Sequence, residues 1–173
     1  MKRILTMVML AGLGLAIVAT PAAAQGGLMV GGGLTLPQGD FKDAAKSGYH
    51  GMAGFNFGVL GAPLGLRVDA GYHLNDFDLP GDPDAASALL AVSGNAVYTF
   101  PSVGAKPYVV GGITWARVKC SGNDCVSDAS DSDTGFNVGG GIRFGSIFAE
   151  ARYISIGGDV DLKVVPITVG FTF

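Results

Sequence analysis

His50 and His73 are the only imidazoles in the chain. Either one, set beside a serine and an orienting acceptor, would make an acyl-transfer site of the hydrolase kind. His50 falls at the margin of a loop, while His73 falls within an alternating stretch whose small polar face turns inward. No serine is brought to either by spacing, so no catalytic residue and no enzyme activity is expected. Ten aspartates, Asp76, Asp78, Asp82, Asp84, Asp124, Asp128, Asp131, Asp133, Asp159 and Asp161, crowd the polar segments. None lies in a twelve-residue loop closed by glutamate, the pattern that calcium would need, so they predict a solvated acidic surface. There is no phosphate loop, dinucleotide fingerprint or metal-ligand cluster, and neither cofactor nor metal is expected. Five charges differ from the rest because they interrupt apolar runs: Arg67, Asp69, Arg143, Glu150 and Arg152.

What must position those five is a set of strands. In the final nine residues, 165–173, every odd position is large and apolar, and the even ones are mostly small or mildly polar. A period of two marks a strand with two unlike faces. The chain stops on Phe173 with nothing after it to cover that face, and a lipid bilayer would serve. Hydrophobic residues make up 49% of the chain and charged ones 14%, well below the usual quarter, yet no later run is long enough for a spanning helix. This points to strands in a bacterial outer membrane.

The N-terminus agrees. Met1-Lys2-Arg3, an apolar run from Ile4 to Val18, and small residues before Gln25 predict a secretory signal over residues 1–24, cleaved between Ala24 and Gln25. Residues 25–173 would then be the mature barrel, with a net charge near −5 that argues against nucleic acid. Export also bears on Cys120 and Cys125, the only cysteines, which fall in the longest loop with no histidine beside them. They predict a disulfide closing a small ring.

Turn signals alternate in length. Residues 37–48, 75–87, 119–134 and 155–162 are long or medium and polar; 60–65, 101–105 and 145–146 are short. They separate eight runs of strand length. Outer-membrane barrels have even strand numbers, short periplasmic turns and longer outer loops, so both termini are expected in the periplasm. The third run sets Leu66, Val68, Ala70, Tyr72 and Leu74 against Arg67, Asp69, Gly71 and His73. The fourth, sixth and seventh resolve equally well, whereas the fifth, 106–119, is ambiguous because Tyr108 and Val110 compete with Val109, Ile113 and Trp115. Aromatics fall at two heights: Tyr49, Tyr72, Phe136 and Tyr153 near the long loops, and Phe57, Tyr98, Phe100, Phe144, Phe171 and Phe173 near the short turns. At ~3.3 Å per residue and ~40° of tilt the two girdles stand about 20 Å apart, close to the ~25 Å apolar band of such barrels. The opposite faces are mostly small and polar, which suits a narrow lumen. Arg67, Asp69, Arg143, Glu150 and Arg152 would meet there, because buried charges persist only when paired.

Several segments then carry a family resemblance. They are Leu36-Pro37-Gln38-Gly39-Asp40-Phe41, Lys106-Pro107-Tyr108, the run from Gly135 to Gly141, Phe148-Ala149-Glu150-Ala151-Arg152-Tyr153, and the terminal Phe173. In this order they resemble the small eight-stranded outer-membrane barrels, the OmpA-like or porin-family barrel domain, over the whole mature chain. The resemblance implies an all-β, antiparallel, up-and-down transmembrane barrel, monomeric, in contact with outer-membrane lipid and lipopolysaccharide. It implies that Phe173, and with it Phe171, is an assembly signal read by the barrel-assembly machinery. The resemblance does not imply a peptidoglycan-binding function. The function expected is structural or surface-interacting, with a lumen plugged by the charged cluster. The alternative is a small channel or a conduit for hydrophobic solutes, as in OmpW-like relatives.

Overall fold

The computed structural model describes residues 27–39, 42, 46–58, 62–76, 86–121, 130–157 and 162–173. The leader expected over 1–24 lies outside them. Eight strands make up the fold: β1 (Gly27–Gln38), β2 (Gly48–Gly58), β3 (Leu64–Asp76), β4 (Ala86–Thr99), β5 (Ala105–Ser121), β6 (Ser130–Phe144), β7 (Ile147–Ile156) and β8 (Leu162–Thr172). Each pairs antiparallel with the next, and β8 returns to β1, so the sheet is a closed barrel. Closure leaves no free edge, which hydrocarbon surroundings demand because they offer no water to unpaired backbone groups.

Partner follows partner around the wall from Gly27 through Asn56, Arg67, Asn95, Gly112, Asn137, Ile154 and Val164, returning to β1 at Pro37. The return lies ten residues along the strand from the start (27 to 37). A stagger of that size in eight strands inclines them by about 40° and leaves an interior that side chains can fill.

Alternation holds all round. Leu66, Ile113 and Phe144 are 60%, 69% and 68% exposed on the outer face, while Arg67, Thr114 and Asn137 on the inner face are 4% or less. The ambiguous fifth strand resolves the same way: Val109, Ile113 and Trp115 point out, Tyr108, Val110 and Thr114 point in. Gly145, at a φ of 59° that a side chain would disfavour, opens the two-residue turn between Phe144 and Ile147, which are themselves paired.

Two expectations need correction. The strands at the long-connection end outrun their apolar stretches, with Lys119 still paired to Ser130, because a ladder asks only for backbone groups. Cys120 therefore belongs to β5, opposite Ser87, rather than to a loop. Cys125 and the disulfide lie outside the described residues. Pro166 sits inside β8. The β7–β8 ladder lapses there, from Ala151↔Ile167 to Ile154↔Val164, the one interruption among the described ladders, because proline has no N–H to donate.

Candidate functional site

The lumen is layered, and each inward-facing strand edge reads its layers in order. β3 presents Arg67, Asp69, Gly71, His73 and Asn75 from the short-turn end upward; β7 presents Phe148, Glu150, Arg152, Ile154 and Ile156. β3 and β7 stand four strands apart in a ring of eight, on opposite walls. Their charges therefore face each other across the diameter, cation then anion on one side, anion then cation on the other.

They meet. Arg67 Nη1 donates to Glu150 Oε2 at 2.5 Å, and Arg152 Nη2 and Nε donate to Glu150 Oε1 at 2.6 and 3.1 Å. Arg152 Nη1 donates to Asp69 Oδ1 at 2.9 Å. The ends of the chain of ion pairs are tied off by amides: Arg67 Nε donates to Asn56 Oδ1 at 2.9 Å, and Asn95 Nδ2 donates to Asp69 Oδ2 at 2.8 Å. All four charged residues are buried, two positive and two negative. Arg67 also lies over the Tyr108 ring, 5.3 Å from its centre, and that ring occupies the space beside Gly141, where a Cβ would collide with it.

Arg143 does not join them. Glu150 registers with Gly141, whereas Arg143 registers with Phe148 and with Lys106, one inward position nearer the short-turn end. Arg143 and Lys106 line a cavity of about 490 Å³ that opens at that end, walled inward by Met29, Arg67, Tyr108 and Phe148.

Above the ion pairs His50 and His73 stack, ring centres 5.0 Å apart. The Thr35 hydroxyl lies between their Nδ1 atoms, at 3.1 and 2.8 Å, and His50 Nε2 is 2.8 Å from Thr168 Oγ1. A hydroxyl so placed can donate to only one of the two imidazoles, so at least one ring carries a proton on Nδ1 and donates it to Thr35. His50 is thus a lumen residue inside β2 and not a loop-margin one. Among the described residues no serine hydrogen-bonds either histidine; Ser93 pairs instead with Thr114 at 2.9 Å. Thr35 is fully buried and both imidazoles are buried beside it, so this trio sets a hydroxyl and two bases inside the lumen.

The top of the lumen holds a feature missed in the residue pattern. Leu89, Ala116, Ile154, Ile156, Leu162 and Val164 pack together inside the barrel, all buried. The inward face was expected to be small and polar; on β4, β5, β7 and β8 its upper part is a miniature hydrophobic core. Residue type could not separate these side chains from the lipid-facing ones beside them. Between the apolar layer and the ion pairs, the histidine layer leaves a cavity of only about 20 Å³, room for about one water and nothing larger.

On the outer wall, Phe171 is half exposed and Phe173 is 75% exposed at the short-turn end, on the same face as Ile167 and Val169. Ala24 and Gln25 lie outside the described residues. Of the acidic positions named from the sequence, Asp133 alone has a described side chain, half-buried at the top of β6.

A family model described as the outer membrane protein beta-barrel domain matches residues 8–173. No curated protein matches the chain in sequence. Solved structures similar in fold include Neisserial surface protein A, 15% identical with a TM-score of 0.65 over 85% of this chain and 95% of that one. The attachment invasion locus protein Ail of Yersinia pestis is 16% identical, with a TM-score of 0.58 over 87% of this chain and 99% of that one. The outer membrane enzyme PagL is 16% identical, with a TM-score of 0.53 over 86% of this chain and 98% of that one. A surface protein, an attachment protein and an enzyme share one architecture, so function has to be argued from the lumen and the loops.

Proposed function

Because the chain belongs to the outer-membrane protein β-barrel family, we propose that it is a monomeric barrel of the bacterial outer membrane with a structural or surface-contact role, its lumen closed to ions. The observation that carries this reading is the neutral quartet of Arg67, Asp69, Glu150 and Arg152, which ties opposite walls together in mid-lumen. A hydrated ion would have to break three ion pairs and then pass the apolar layer around Leu89 and Ile154. With the inside filled, the parts left to make contacts are the lipid-facing wall and the four long connections.

The same reading sets the short turns and both termini in the periplasm and the long connections outside, since short turns face the periplasm in such barrels. The lipid-facing girdle would meet phospholipid below and lipopolysaccharide above. Phe171 and Phe173 would be the segment read by the barrel-assembly machinery. The role is non-catalytic, because the imidazole–hydroxyl cluster is buried inside the lumen. Single-channel recording of the refolded protein in planar bilayers tests it. The expected trace is flat baseline; steady, reproducible conductance steps would replace this reading with the channel one.

A further inference from the structure

Apart from Asp69 and Glu150, every acidic residue of the sequence falls in or beside one of the four long connections. Asp69 and Glu150 are consumed by Arg67 and Arg152. At the short-turn end neither the described residues nor the sequence of the turns contains a side-chain carboxylate. Two cations stand there, Lys106 and Arg143, and they are direct partners across the β5–β6 ladder, both on the inward face. Like charges placed opposite each other in a sheet repel. Neither forms an ion pair with a described residue.

Both line the cavity of about 490 Å³, along with Asn56, Thr99 and Thr172, whose amide and hydroxyl groups can donate hydrogen bonds. That volume lies within the ~300–1,000 Å³ usual for small-molecule sites. A pocket with two uncompensated cations, polar donors and no carboxylate is matched by a doubly charged anion. An arginine fork grips two oxygens of one tetrahedral group, and a lysine adds a point charge.

We infer that the short-turn mouth of the barrel is a binding site for a phosphate group, with Arg143 and Lys106 as its two cationic ligands. The phosphate belongs either to a small soluble molecule or to a lipid headgroup reaching in from the rim. The site is independent of whether the lumen conducts, because it lies wholly on one side of the ion-pair layer.

The test uses the folded full chain in a maltoside micelle, which contains no phosphate. Inorganic phosphate is titrated at constant ionic strength set with chloride, while binding heat and the thermal midpoint are followed. Saturable heat is expected, with a rise in midpoint of about 5–10 °C at a hundred times the dissociation constant. Lys106→Gln and Arg143→Gln each weaken binding about tenfold or more, and the double variant abolishes it; Lys163→Gln, at the other end of the barrel, leaves it intact. In the wild type, phosphate slows acylation of the Lys106 amine but not of Lys42, a readout that needs no variant to fold. Mixed micelles with phosphatidic acid form a second arm. Protection of Lys106 there, with no response to free phosphate, assigns the phosphate to a lipid. An equal response to chloride alone, an undiminished response in the double variant, or silence in both arms overturns the inference.

Discussion

Glu150 is the residue whose removal tests the closed lumen most directly. Its two oxygens accept from both guanidiniums, at 2.5, 2.6 and 3.1 Å, while Asp69 reaches only Arg152. In Glu150→Ala, Arg152 keeps Asp69, but Arg67 keeps only neutral partners, the Asn56 amide and the face of the Tyr108 ring. The mid-lumen charge goes from zero to one uncompensated cation at a site 4% exposed. Breaking a buried pair from one side costs about 3–5 kcal/mol, mostly through the stranded partner. The same reasoning makes the paired replacement Arg67→Met with Glu150→Leu mild, since no charge is stranded and Arg152 still holds Asp69. The void left by Glu150→Ala holds one or two waters at ~30 Å³ each. Val97, Tyr108 and Phe148 below and Leu89, Ile154 and Val164 above remain in place, so no wide pore opens. Urea unfolding in lipid vesicles, read from the emission of Trp115, the single tryptophan, measures the stability of all three proteins. Planar-bilayer recording of the same samples measures leakage. Two results refute the reasoning: Glu150→Ala unfolding within about 0.5 kcal/mol of wild type, or the double variant losing as much as the single one.

Three further outcomes are expected. Val68, half-exposed on the outer wall between Arg67 and Asp69, should cost about 2–4 kcal/mol as Val68→Arg in a bilayer, whereas Ala88→Arg at the long-connection margin should cost about 0–1 kcal/mol; equal costs in vesicle unfolding would deny the band its position. Gly141→Val drives a Cβ to 2.5 Å from the Tyr108 ring and should lower stability by about 1–3 kcal/mol, while Gly94→Ala, with open space at its Cβ, should be neutral in the same melt. Iodoacetamide should label Cys120 and Cys125 only after reduction; adducts in the untreated protein, seen by mass spectrometry, would rule out the ring.

The wall of the barrel is plain in the residue pattern because it is a local property. Leu66-Arg67-Val68-Asp69-Ala70 alternates whatever the rest of the chain does, and eight such runs with unequal turns admit few arrangements other than a closed meander. The quartet was half legible: the charges had to be inside, and inside they had to pair. Which ones pair was not. Arg143 and Glu150 are both inward residues on adjoining strands, yet Arg143 is opposite Phe148 and Glu150 opposite Gly141. Heights in the lumen follow from the ten-residue stagger, which is the sum of eight inter-strand registers and is written in no single segment.

The histidine layer and the apolar cap were hidden for a related reason. Thr35, His50, His73 and Thr168 come from four strands, and their sequence neighbours say nothing about a shared height. Leu89, Ile154 and Leu162 are chemically the same as the lipid-facing leucines and isoleucines next to them, so alternation alone cannot tell an inward apolar side chain from an outward one. By itself the sequence determined the strands, their two faces and a membrane for a solvent, because those depend on period and residue type. Tertiary structure alone decided what fills the lumen, which charges cancel and which two are left facing the short-turn mouth, because closure of the barrel brings residues from opposite walls to one level.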